Sequence, residues 1–270
     1  MNIKPDDLVL EIGSGHNPKP RSDVLCDKLP DDDTERGGGI LIDRPFVAAD
    51  GQHLPFADKS FDYIISCQVL EHAEDPELFI SELVRVGKGG YIETPTEIGE
   101  MLYGWEYHKW IFNLEPSGKL LIKKKENESQ FGQLFHHLYA TDPVYAKFHT
   151  KNHGLFLIQF EWLNNINYEI VPPETRLLNL NNMDEVRRIA GSQQGKIAIS
   201  NLAPPWLRRM AKKVAARGYR RNKVDLRSIV VCPLCKSQVT WSDTSITCAN
   251  CNKIYPIKDG IPYLTSVRCN

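Results

Sequence analysis

The sequence predicts an α/β fold, a doubly wound and mostly parallel sheet of seven strands, followed by a small β-rich module. Three observations carry that expectation. A continuous apolar run, Leu8-Val9-Leu10-Glu11-Ile12, ends directly on Gly13-Ser14-Gly15, as a buried parallel strand ends on a tight ligand-facing turn. A second run, Phe61-Asp62-Tyr63-Ile64-Ile65-Ser66-Cys67, precedes a segment of helical apolar spacing and then another strand-like stretch. Near the C-terminal end stand two Cys-x-x-Cys pairs, in a module of about 43 residues that is too small to bury a core unaided.

The 270 residues are 41% hydrophobic and 25% charged, which fits a folded chain and excludes disordered and collagen-like classes. Seven cysteines are too few for a disulfide scaffold. No apolar run approaches the roughly 18 residues of a membrane span; the longest, 155–163, contains Gln159 and Glu161. The first ten residues hold Lys4, Asp6 and Asp7 and lead into a strand, so no secretory signal is expected and the location reads as cytoplasmic. In a reducing compartment paired cysteines are metal ligands rather than bridges. The net charge of −1 hides an asymmetry: 205–227 carries nine basic residues against Asp225, a balance of +8, so the remainder carries −9. Pro204-Pro205 marks the break. The expected parts are a main domain at 1–202, a basic connector at 203–227 and the module at 228–270.

Taken in order, the first turn lacks the third glycine that a dinucleotide fold uses at a helix N-terminus; that position is Pro18, and Pro20 follows. A ligand without a pyrophosphate fits better, and S-adenosylmethionine is one. Asp23-Val24-Leu25-Cys26-Asp27 reads as a second strand ending in a carboxylate for ribose hydroxyls. In Ala49-Asp50-Gly51-Gln52 a carboxylate precedes a turn, placed to accept from an adenine amino group. Asp75-Pro76 is an N-cap with proline at the first helical position, and Leu78, Phe79, Ile80, Leu83, Val84 and Val86 supply the apolar stripe. Gly89-Gly90-Tyr91-Ile92-Glu93-Thr94-Pro95 is the next strand, and 154–162 with Tyr168–Val171 can form the last two. Between them, 96–150 exceeds a normal connection and holds Tyr103, Trp105, Tyr107, Trp110 and Phe112. An insertion after a strand's carboxyl end sits over the ligand crevice, so it is the candidate cover for an acceptor.

These residues resemble the class I S-adenosylmethionine-dependent methyltransferases, in the branch with an L-P-F…S-F-D…L-E-H signature. The matching positions are the strand and turn from Leu10 to Gly15, then Asp50, Leu54-Pro55-Phe56, Ser60-Phe61-Asp62 and Leu70-Glu71-His72, across about residues 8–96. The resemblance implies a Rossmann-like sheet and S-adenosyl-L-methionine as cofactor. The candidate cofactor-binding residues are Glu11, Gly13, Ser14, Gly15, Asp27, Asp50, Gly51, Gln52 and Cys67. The gap from Gly15 to Asp27 is 12 residues, so the first crossover is expected to be a loop, with Asp43 as a substitute for Asp27.

Methyl transfer to an alcohol additionally wants a base near neutral pKa. His108, in the aromatic insertion, and His72, just past the fourth strand, are the catalytic candidates; a ring that caps or packs the following helix is the alternative for His72. His136-His137 reads as core edge and surface, and Cys26 as a small core residue. Cys232, Cys235, Cys248 and Cys251 form two knuckles twelve residues apart, a closed tetrahedral set for structural Zn(2+). With Tyr255-Pro256-Ile257 and Asp259-Gly260-Ile261-Pro262 they resemble the small zinc-ribbon activator subunits of RNA and release-factor methyltransferases. That implies a zinc ribbon packed in cis on the methyltransferase domain.

In the connector, Trp206, Leu207, Met210, Ala211 and Val214 share one helical arc opposite Arg208, Arg209, Lys212, Lys213 and Arg217. Packing on the protein, contact of 206–217 with an anionic membrane surface, and RNA contact all remain readings of that pattern. The acceptor expected from the aromatic insertion is a small molecule, such as a sugar or lipid-linked glycan intermediate. A tRNA or protein acceptor and a non-catalytic scaffold are the alternatives.

Overall fold

The computed structural model describes residues 1–28, 30–32, 38–127, 129, 131–191 and 224–265. The connector stretch 206–217 and the end of the main domain, 192–202, lie outside the described residues. In chain order come β1 (Val9–Ile12), β2 (Val24–Asp27), β3 (Phe46–Ala48), β4 (Phe61–Cys67), a 3-10 turn over Leu70–His72, α1 (Pro76–Val86) and β5 (Gly87–Pro95). The insertion supplies α2 (Glu97–Tyr103), β6 (Trp110–Leu114), β7 (Leu120–Lys124), α3 (Gly132–Thr141) and α4 (Pro143–Lys151). After it come α5 (His153–Phe156), β8 (Leu157–Leu163), β9 (Tyr168–Val171) and α6 (Met183–Gly191). The module holds α7 (Leu226–Ile229), β10 (Val239–Trp241), β11 (Ser245–Cys248), β12 (Ile254–Lys258) and β13 (Ile261–Pro262).

The main sheet has the order β3-β2-β1-β4-β5-β8, parallel except for β8, which pairs antiparallel with β5. Among the described residues it has six strands where seven were expected. Residues 153–156 are helical, so the edge strand begins at Leu157. Tyr168–Val171 leaves this sheet altogether and pairs parallel with β7, in a separate sheet β6-β7-β9. The cause is a tight turn: Asn164, at φ +62°, donates its N–H to the Lys88 carbonyl and folds the chain off the edge. Alternation specified a strand there, but not its partner.

The first crossover is a loop, as the short gap predicts. Buried Glu11 pins it, its carboxylate accepting from Ser22 Oγ at 2.5 Å and from the Lys19 N–H at 2.7 Å. At α1, the Asp75 carboxylate accepts from the Leu78 N–H at 2.9 Å, and Phe79, Ile80, Leu83 and Val86 face the sheet. Strands β1 and β4 are neighbours although two strands on the other side of β1 precede β4 in the chain. Their junction is the switch point where a doubly wound sheet opens a crevice.

The module does not stand apart. Val230, Cys232, Ile246, Cys248, Tyr255 and Leu264 join the same apolar cluster as Leu10, Ile64 and Leu83, while Ile261 and Tyr263 pack on Leu25, Phe46 and Ala48, the opposite face of the sheet. It therefore wraps the β3 edge. Backbone bonds bind the two parts: Leu264 N–H to Ala48 O at 2.7 Å, Val231 N–H to Pro55 O at 2.9 Å, and Ala57 N–H to Ile229 O at 2.8 Å. Covering an open edge in this way removes a row of unpaired backbone groups.

Glu82 of α1 joins the two parts. Its carboxylate accepts from the Leu54 N–H (2.6 Å), Arg85 Nε (2.6 Å) and Lys236 Nζ of the module (2.7 Å). Burial alone would raise this carboxyl, yet the bonds from Arg85 and Lys236 hold it below its ordinary range. A carboxyl depressed in the folded state gives stability that is full above its unfolded value of 4.5 and fades as pH falls through the folded value. Glu82→Gln should cost about 2 kcal/mol at neutral pH, discounted for the partly exposed cations. Urea unfolding at pH 7 and pH 4 checks it: the deficit against wild type should shrink at the lower pH.

Candidate active site and metal centre

A cleft of about 180 Å³ opens at the carboxyl ends of β1, β2, β3 and β4. Ile12, Gly13 and Gly15 form its floor, Asp27 and Lys28 one side, Ala49 to Gln52 another, and Gln68, Val69, His72, Ala73 and Phe79 the remaining wall. Gly13 adopts φ +67°, and a Cβ there would lie 2.2 Å from Val69 Cγ2; Gly15 adopts φ +51° with open space where its side chain would be. The first glycine thus permits the turn, and the second keeps the backbone bare toward a ligand. Gly13→Ala should destabilise the protein by about 1–3 kcal/mol and abolish stabilisation by S-adenosylhomocysteine, read by thermal shift.

Both acids singled out for the cofactor's ribose and adenine line the cleft. Asp27 lines the cleft and its Oδ2 accepts from the Gly15 N–H at 3.0 Å, tying the second strand to the glycine turn. Asp50 also lines it, accepting from the Gln52 N–H at 2.9 Å and pairing with Lys28 at 2.8 Å. Burial would raise the Asp50 carboxyl, but the contacts from Lys28 and Gln52 keep it below the usual range, ionised at neutral pH. Gln52 is fixed in turn, since its Oε1 accepts from the Asp75 N–H at 2.6 Å. Asp43 is spent on Arg44 (2.6 Å) and is not among the cleft-lining residues.

Three expected cofactor residues sit elsewhere. Glu11 is turned to the crossover loop, and Ser14 is buried behind the turn. Cys67 shares the face of Tyr63 and Ile65, where burial pushes its thiol up to about 12. Lys28, Gln68, Val69 and Phe79 line the cleft without having been singled out. Gln68 has φ +56°, a turn that rotates the wall away from Cys67 and that no residue type announced.

His72 faces the cleft from the 3-10 turn and does not cap α1; Asp75 does. Burial lowers its ring to about 4, so it stays neutral at pH 7. The start of β6 is fastened to this turn, with the Lys109 N–H on Glu71 O at 2.8 Å and Trp110 Nε1 on Ala73 O at 2.8 Å. That fastening brings His108 against His72, ring centroids 4.8 Å apart. His108 Nδ1 lies 2.7 Å from Glu100 Oε2, and Lys125 holds the other Glu100 oxygen at 2.7 Å. Beneath the two rings Glu71 is fully buried: Oε2 accepts from Thr94 Oγ1 at 3.1 Å, while Oε1 has no hydrogen-bond partner. Desolvation lifts this carboxyl to about 7. Tyr107 stacks on His72 (5.4 Å), Trp105 on Tyr107 (5.7 Å) and His136 on Trp105 (4.2 Å), so the insertion's aromatics form one ladder outward from the cleft.

In the module, the sulfur atoms of Cys232, Cys235, Cys248 and Cys251 all lie within 4.8 Å of one another. The Asn250 and Cys251 N–H groups point at Cys248 Sγ (3.4 Å each), the arrangement that a knuckle gives a metal-bound thiolate. Hydrogen bonds from Ser237 lower the Cys235 thiol to about 5. Four soft donors in a closed set fit a structural zinc ion and leave no position for a reacting ligand.

A parallel sheet in this order, a bare glycine turn at its switch point and acids at the next two strand ends make a fold and a cleft that suit a methyltransferase domain. The comparisons agree: residues 32–92 match the family model of a methyltransferase domain, and residues 223–260 that of a Trm112p-like protein. The chain carries a methyltransferase domain joined to a Trm112p-like zinc ribbon. No curated protein matches it. Among solved structures it is similar to the YcgJ protein of Bacillus subtilis, at 21% identity over 35% of this chain and 47% of that one, TM-score 0.29. It is also similar to a chain from the complex of the Haloferax volcanii Trm112 methyltransferase activator with its methyltransferase candidate (21%, 38% and 49%, TM-score 0.28). A third is an S-adenosylmethionine-dependent methyltransferase of Mesorhizobium loti (13%, 44% and 57%, TM-score 0.27). The chain spans about half the length of these structures. Among the described residues no helix is long and apolar enough to cross a membrane.

Proposed function

We propose that the protein transfers the methyl group of S-adenosylmethionine to a small-molecule acceptor, such as a sugar or a lipid-linked glycan intermediate. The observation that carries this is the placement of His72 and His108, backed by Glu100, beside a cleft whose other walls are the glycine turn, Asp27 and Asp50. When bound, the cofactor supplies a sulfonium methyl that is already electrophilic. Gly13 and Gly15 would admit its amino-acid end, Asp27 its ribose hydroxyls and Asp50 its adenine amine. The chain's own task is then to orient a nucleophile, exclude water and remove a proton. Neutral His72 touches the acceptor; His108, with Nδ1 held by Glu100, takes the proton on its other nitrogen.

The Trm112p-like module favours a second reading, methyl transfer to a tRNA or protein, because ribbons of that kind resemble activators of macromolecular methyltransferases. Methyl incorporation from labelled cofactor into extract fractions, with and without ribonuclease or protease, separates the two. Label in the small-molecule or lipid fraction supports the first reading. Label that ribonuclease or protease removes supports the second, and no label in any fraction sinks both.

A further inference from the structure

We propose that Glu71, His72 and His108 bind a divalent first-row transition-metal ion in the inner wall of the cleft, leaving open coordination positions toward the acceptor. One ligand atom from each residue lies within 4.8 Å of the others. With metal–ligand bonds of about 2.1 Å, three donors on one ion stand about 3.4–3.6 Å apart, so closure draws the three atoms together by up to about 1.4 Å. The cluster is mixed, two imidazoles and one carboxylate, a donor set suited to zinc, cobalt, iron or manganese rather than to magnesium or calcium.

An independent observation points to a ligand. Glu71 has 0% exposure, one of its carboxylate oxygens belongs to the cluster with the two rings, and its Oε1 is buried with no hydrogen-bond partner. A buried carboxylate oxygen left bare costs several kcal/mol, and such groups are paired or coordinate metals. The surroundings supply outer support as well. Thr94 fixes the other Glu71 oxygen, and Glu100 engages His108 Nδ1, which leaves Nε2 for an ion; a carboxylate behind a histidine sets tautomer and ring direction for metal binding. Lys109, whose charge acts on His72, is paired with Glu74, and Lys125 is paired with Glu100. Because His72 also lines the cleft, His108 Nε2 would serve as a ligand and not as the proton acceptor while an ion is bound, and that ion would face the acceptor, whose oxygen could complete its shell. That last clause rests on the methyl-transfer reading; the ion itself does not.

The ribbon makes its own demand for zinc, so the test begins with full-length protein holding one zinc per chain. Cobalt(II) is titrated in, followed by calorimetry and by absorbance, where thiolate charge-transfer bands would expose any exchange into the ribbon. One further equivalent is expected in wild type, without those bands. In Glu71→Gln and in His108→Gln binding should weaken at least tenfold, while the ribbon zinc and the thermal shift given by S-adenosylhomocysteine persist. No second equivalent in wild type at millimolar cobalt overturns the proposal, as does equal binding by wild type and both variants. Failure of the methyl-transfer reading shows separately, as absence of the S-adenosylhomocysteine shift whatever the metal does.

Discussion

Removing zinc should cost the protein its cofactor site as well as its ribbon. The four thiols are the staple of a module too small to hold itself, and that module covers the β3 edge of the main sheet. Without the ion, the bonds from Leu264 to Ala48, from Val231 to Pro55 and from Lys236 to Glu82 lose their scaffold. Each hydrogen bond contributes about 1 kcal/mol and each buried apolar side chain about 1.5–3 kcal/mol. A loss of at least about 4 kcal/mol follows, or on the order of 10 °C in unfolding midpoint for a domain of this size. The effect reaches the cleft because Ala48, which accepts from Leu264, is followed directly by Ala49 and Asp50. Differential scanning fluorimetry with a zinc chelator, with and without S-adenosylhomocysteine, reads both consequences. A chelated protein that keeps its midpoint and its ligand shift would show the ribbon to be an ornament on an independent domain.

Local chemistry was legible in the sequence, and tertiary pairing was not. Gly13, Gly15, Asp27 and Asp50 could be placed because a strand end, a turn and a short carboxylate occupy positions fixed by a few neighbouring residues. The four cysteines could be placed for the same reason. Cys67 is not among the cleft-lining residues because it ends a strand whose period of two puts it with Tyr63 and Ile65, while the unannounced turn at Gln68 hands the wall to Val69. The strand count failed at Tyr168–Val171, whose alternation fits either sheet. Glu71 lay within a quoted motif, but its bare oxygen is a property of burial. Glu100 left no signal at all: its partner His108 is eight residues away, beyond the reach of one helical turn, and only the fastening of β6 to the 3-10 turn sets the pair beside His72.

Replacing His108 tests the centre that this fastening builds. His108→Asn should lower methyl transfer about 10²- to 10⁴-fold, measured on whichever acceptor fraction takes label from the wild type, with S-adenosylhomocysteine affinity unchanged. Affinity should hold because His108 is absent from the cleft-lining set, whereas Asp27 and Asp50 are in it. Glu100→Gln should fall between the two proteins, about 10- to 100-fold down, since it removes the charge that orients the ring but leaves the ring in place. Lys125 sharpens the expectation: it neutralises Glu100 from the far side, and burial would otherwise raise a carboxyl that His108 and Lys125 hold low. A dyad so arranged loses orientation before it loses packing, so activity and unfolding midpoint should separate across the two variants. If His108→Asn loses activity only in proportion to lost stability, the ring is packing for the aromatic ladder and the acceptor is handled elsewhere in the cleft.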